Sequence, residues 1–153
     1  MQLVNKVIEI SAAPEVVRQK FLDFPSIFTY HPDGFIKTIK PARQDKPIEA
    51  GDRMLVELEI GKMEPIMIEN SPDCFSWGGS LPLNSFNGNH SFRFEPSATT
   101  PGGTTFTQQE EFTGYLSFIV GEGVIARSLG MREKTEKGFE KFNKDLKAWC
   151  EMA

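Results

Sequence analysis

The stretch MREKTEKGFEKFNKDLKAWCEMA, Met131 to Ala153, decides how the rest of this sequence reads. Its large apolar residues are Met131, Phe139, Phe142, Leu146 and Trp149. From Phe139 onward their spacing keeps them on one stripe of a 3.6-residue helix. The positions between are mostly Lys and Glu. Glu133–Lys137 and Glu140–Lys144 stand acid first at the i,i+4 spacing that supports a helix. One face therefore wants water, and the other carries large rings. Thr135 and Gly138 fall on the apolar side, toward the N-terminal end. Small residues there predict room beneath the first half of the helix and a plug under the second.

The bulk figures bound what such a helix can cover. A chain of 153 residues can bury a core of its own, and residues 1–153 read as one domain. Hydrophobic content of 39% and charged content of 25% are those of a soluble globular protein. A net charge of −4 turns the reading away from nucleic acid as a partner. No run of about 18 apolar residues is present to span a membrane, and MQLVNKVIEI lacks a signal-peptide core, so a cytoplasmic location is expected. Cys74 and Cys150 have no metal-ligand spacing and are expected as free thiols. With two histidines there is no multi-histidine metal site. No phosphate loop, dinucleotide fingerprint or Ser-His-Asp order appears, so neither a cofactor nor a metal is expected. The unusual figure is 13 phenylalanines, enough to line a cavity as well as a core.

In order, LVNKVIEI (3–10) reads as a strand. Ser11 or a neighbour caps a helix that Pro14 opens and Pro25 ends, with Val17, Phe21 and Phe24 on one side. A short helical piece over 26–30 stops at His31-Pro32. Strands follow over 35–40, 53–60, 63–69, 75–81, 90–95 and 104–113, with a turn at Gly61-Lys62. In the last two, His90, Phe92 and Phe94 alternate with polar residues, as do Phe106, Gln108, Glu110 and Phe112. Short connections make the strands antiparallel. The segment 115–129 is an approach to the long helix, with a kink expected at Gly130. A curling antiparallel sheet needs its concave face filled, and the closing helix fits that role.

At this point GSLPLNSFNGNHSFRFEP (79–96), GTTFTQQEEFTGYL (103–116) and KGFEKFNKDLK (137–147) resemble the SRPBCC superfamily, also called START-like or Bet v 1-like. The resemblance is strongest to its polyketide cyclase/dehydrase-like branch and covers nearly the whole chain. It implies an α+β helix-grip fold: a curved seven-stranded antiparallel sheet around a long C-terminal helix, two short helices after the first strand, and an apolar cavity between sheet and helix. One departure stands out. Many relatives carry Trp-Asn-Pro-Phe before the second strand, where this chain has Tyr30-His31-Pro32, then Asp33-Gly34, then Phe35.

The expected partner is an apolar small molecule such as a lipid, polyketide or other natural product, bound by a monomer or homodimer. Its candidate lining takes Tyr30, His31 and Phe35 near the mouth, Val56 and Leu58, Trp77 and Leu81, and His90 and Phe92. Phe106, Gln108 and Phe112 follow, with Thr135, Gly138, Phe139 and Phe142 from the helix. The second reading is a cyclase or dehydratase in which His90 and Glu110, on strands expected to be neighbours, move protons while Tyr30 orients a carbonyl. A structural pair bridging two strands is the simpler role for them. The third reading is a co-chaperone-like interaction protein that uses its outer surface.

Overall fold

The structure, a computed structural model, describes residues 1–152. The strands are β1 (Gln2–Ile10), β2 (Ile36–Pro41), β3 (Met54–Leu58), β4 (Gly61–Met63), β5 (Ile66–Asn70), β6 (Cys74–Ser80), β7 (Asn87–Pro96) and β8 (Thr104–Thr113). The helices are α1 (Pro14–Leu22), α2 (Ile27–Tyr30), α3 (Val124–Leu129) and α4 (Met131–Cys150). Every paired strand is antiparallel.

The expected count of seven strands in one sheet is corrected to eight in two. One sheet runs β1-β8-β7-β6-β5, the other β2-β3-β4. Pro65 is the cause. The strand expected over 63–69 breaks there, because proline has no N–H to give a ladder. The Pro65 carbonyl instead accepts from the Met54 N–H at 2.8 Å, and an Arg53–Ile66 bridge joins the two sheets. The β3–β4 turn also shifts. Leu58 pairs with Gly61, so Glu59 and Ile60 form the loop, and Ile60 leaves the buried face.

Packing follows the alternation. Met54, Val56 and Leu58, then His90, Phe92 and Phe94, then Phe106, Gln108, Glu110 and Phe112 all point inward. Helix α4 lays Thr135, Gly138, Phe139, Phe142, Asn143, Leu146 and Cys150 onto this surface. Trp149 stands at the flank, half-buried. Phe21 from α1 fills the centre, with its ring 4.6 Å from that of Phe92 and 5.5 Å from that of Phe94. The α1 N-cap is Ala13, without a side-chain cap bond; Ser11 instead donates its N–H to Glu151 Oε2 at 2.7 Å. Gly130, at φ 66°, takes the left-handed conformation that favours glycine and separates α3 from α4. Cys74 and Cys150 are free and buried. Among the described residues no helix is long and apolar enough to cross a membrane.

Candidate functional site

The β7–β8 register sets His90 directly opposite Glu110. The same pairing brings Gln108 beside the imidazole. Gln108 Oε1 lies 2.9 Å from His90 Nε2, so the ring donates there and Nε2 carries the proton. Gln108 Nε2 donates to Asn143 Oδ1 at 2.9 Å, and Asn143 Nδ2 donates to the Lys6 carbonyl at 3.2 Å. A buried polar string thus runs from β7 through β8 and α4 to β1. Asn143 is its missed member. It falls within the apolar stripe, one residue past Phe142, where the sequence reading took only the rings and Leu146 as facing inward.

His90 Nδ1 has no hydrogen-bond partner and stands 3.6 Å from Glu110 Oε1. The distance is that of an ion pair, but the charges are absent. Burial pushes Glu110 up to about 8 and His90 down to about 4, so near neutral pH the carboxyl keeps its proton and the ring is neutral. Gly88, on the strand beside Glu110, makes room for the carboxyl: a Cβ there would stand 2.9 Å from Oε2. The imidazole is wholly buried, stacked against Phe92 at 4.5 Å and Phe139 at 5.0 Å.

The room expected beneath the first half of α4 is filled. The Phe35 ring lies directly under Gly138; a Cβ on Gly138 would come 2.7 Å from Phe35 Cβ and overlap the ring. Phe35 in turn meets Phe139 edge to face at 5.8 Å. Val56, Leu58, Trp77, Phe92, Phe106, Phe112, Thr135, Phe139 and Phe142 are all buried. Leu81 lies just past the strand that was expected to hold it. β6 ends at Ser80, the Leu81 N–H turns back to the Phe86 carbonyl, and its side chain is 55% exposed.

His31 is not at a mouth. Its side chain is fully buried, its Nδ1 lies 2.7 Å from Asp145 Oδ2, and its Nε2 accepts the Ile36 N–H at 3.3 Å. Both nitrogens are committed to joining α2, β2 and α4. The Asp33-Gly34 departure has a steric purpose here, since any side chain at Gly34 would overlap the imidazole. Tyr30 stacks on Trp149 at 4.5 Å and 12°, with its hydroxyl buried and unpartnered. Lys20 Nζ sits 4.4 Å from the Trp149 ring centre on another side of this junction.

Open space lies elsewhere. A groove of about 670 Å³ is lined by Leu22, Phe24, Pro25 and Phe28 on one wall and by Lys37, Thr38, Ile39, Lys40 and Pro41 on the other. Gln44, Lys46, Pro47, Ile48 and Asn70 close it. Five consecutive β2 residues belong to both faces of that strand, so the groove follows its outer edge. This is a free edge, because β2 is the terminal strand of its sheet. The far wall is fastened in place. Asn70 Nδ2 donates to the Ile48 carbonyl at 3.0 Å, Arg18 holds the Asn70 oxygen at 2.7 Å, and Lys46 binds Asp52 at 2.7 Å. Sequence reasoning missed this groove because its walls come from separate segments and none of them shows a period.

The fold has relatives among solved structures. A hypothetical protein, jhp0584 from Helicobacter pylori, superposes with a TM-score of 0.71 at 15% identity, over 97% of this chain and 88% of that one. Ara h 8.0201 superposes at 0.64 and 10% identity, over 97% of each chain. BexL, a di-domain ARO/CYC from the BE-7585A biosynthetic pathway, superposes at 0.66 and 15% identity, over 99% of this chain and 50% of that one. At these identities the likeness concerns the fold. Among curated proteins none matches the sequence significantly. The sequence itself matches one family over residues 1–151. This chain belongs to the polyketide cyclase/dehydrase and lipid transport family.

Proposed function

We propose that this protein binds an apolar small molecule, and that the groove along the outer edge of β2 holds it. The observation that carries the reading is the groove itself. At about 670 Å³ it falls in the range of small-molecule sites, roughly 300–1,000 Å³. Its walls offer Leu22, Phe24, Phe28, Ile39 and Ile48, with a fastened far wall that costs little to organise. Phe28 is 83% exposed, so its ring is open to a molecule in the groove. Membership in a family that includes lipid transport agrees with this reading.

The proposal gives His90 and Glu110 a structural role rather than that of a cyclase or dehydratase. A general acid or base has to reach its substrate. The imidazole is enclosed by two rings and Gln108, and a substrate would have to displace core side chains to meet it.

The test uses Nile red, a neutral dye that brightens in apolar surroundings. The parent protein should bind it, and Phe28→Ala should weaken binding about tenfold, the scale of one phenyl ring losing its burial. A parent that does not bind the dye, or a Phe28→Ala variant that binds it equally well, would remove the groove from consideration.

A further inference from the structure

We infer that the ligand of the β2-edge groove is an anionic amphiphile, an apolar body with a carboxylate or similar head, held by Lys37 and Lys40. The inference rests on the groove reading above and adds the chemistry of one end of the ligand. The whole chain carries a net charge of −4, yet the groove lining holds three lysines and no carboxylate. One of the three is already spoken for: Lys46 Nζ binds Asp52 at 2.7 Å and Glu49 at 3.2 Å. Lys37 and Lys40 are exposed on β2 and form no ion pair among the described residues. Both line the groove together with Leu22, Phe24 and Phe28, and Lys40 also lines a neighbouring depression over β3 and β4 with Glu57 and Glu64. Thr38 lies between them and adds a hydroxyl donor on the same wall.

The geometry therefore separates two chemistries across one groove. An apolar tail lies against the aromatic side, and its head meets two unpaired ammonium groups on the other. A neutral lipid would leave both ammonium groups to water, and a cationic one would be repelled. Each lysine is a point charge without the fixed fork of arginine, so the site selects for negative charge rather than for one head-group shape.

The experiment compares two ligands that share a tail and differ in the head. Laurate and 1-dodecanol, each below its aggregation concentration and at low ionic strength, compete with Nile red for the full chain. Laurate should displace the dye at about tenfold lower concentration than dodecanol, the scale of a charge-assisted contact. In the Lys37→Gln/Lys40→Gln double variant that preference should fall to near parity. Lys134→Gln, which removes a lysine outside the groove, should keep it. Equal potency of the two ligands on the parent would overturn the anionic head and leave the apolar reading standing. A preference that survives in the double variant would also overturn it, by placing the head elsewhere. If neither ligand displaced the dye, both readings would fail together.

Discussion

The ring of Phe35 occupies the space that the missing side chain of Gly138 leaves on α4. This contact changes what substitution there should do. Alanine at position 138 removes a helix cost of about 1 kcal/mol. It also places a methyl inside a ring that meets Phe139 edge to face. We expect Gly138→Ala to be destabilised on balance, and Gly138→Leu to lose about 1–3 kcal/mol or more through overpacking. Urea unfolding decides it, and a Gly138→Ala protein more stable than its parent would show that Phe35 moves aside freely.

Phe142 is the centre of the α4 interface. Its ring lies 5.0 Å from His31, 6.1 Å from Phe92 and 6.3 Å from Phe21, and it is fully buried. Phe142→Ala should cost about 3–5 kcal/mol. A loss within about half a kcal/mol, the scale of surface sites, would contradict this packing.

Glu110 makes stability depend on pH in an uncommon direction. Its folded pKa is raised, so its contribution is complete below the ordinary carboxylate range and is lost as pH rises through about 8. His90, lowered to about 4, acts in the opposite sense: its contribution is complete above the ordinary imidazole range and declines as pH falls toward 4. Between pH 6.5 and 8 the Glu110 slope acts without opposition from His90, at up to about 1.4 kcal/mol per pH unit. The parent should lose stability over that window, and Glu110→Gln should flatten the curve. Identical pH profiles for the two proteins would mean that the carboxyl is ionised in the fold.

His31 should loosen the α2–β2 corner in acid. Burial lowers its pKa, with the Asp145 hydrogen bond working against that effect and Lys141 adding to it. A group so shifted contributes stability above the ordinary imidazole value that is lost as pH falls below it. The local cause is specific. A proton on Nε2 ends its acceptance of the Ile36 N–H and sets two donors against each other. The hydrogen-exchange protection of the Ile36 amide should therefore drop between pH 7 and 5 while β7 and β8 amides hold. Equal protection of Ile36 at both pH values would argue against a neutral His31 at this corner.

Much of the fold was legible because the core-facing elements are periodic. His90, Phe92 and Phe94 on β7 and the inward residues of β8 alternate cleanly, and α4 repeats at helical spacing. The split at Pro65 was legible in kind, since a proline inside a strand pattern signals a break, but a seven-strand expectation passed over it. The filled space at Gly138 was not legible. Nothing in the local sequence says that a phenylalanine 103 residues away lies under that glycine. The groove was hidden for a related reason: periodicity reports the faces of strands, and this feature follows an edge. The polar string was half legible, with His90 and Gln108 visible by alternation and Asn143 hidden among the rings of its stripe.

The Tyr30–Trp149 stack has an optical consequence. The chain has two tryptophans in unlike surroundings: Trp77 is sealed in the core against Phe75 and His90, while Trp149 is half-buried between Tyr30 and Lys20. Their emissions therefore report on different events. Trp77 follows loss of the whole sheet, and Trp149 follows any parting of α2 from the end of α4. An aqueous quencher should reach Trp149 first, and its emission should shift red at denaturant concentrations where Trp77 is still dark to the quencher. Because α2 also carries Phe28, one wall of the groove moves with the chromophore stacked against its neighbour. The intrinsic fluorescence of the unlabelled protein thus supplies a local gauge of that wall, separable from global unfolding in a single titration.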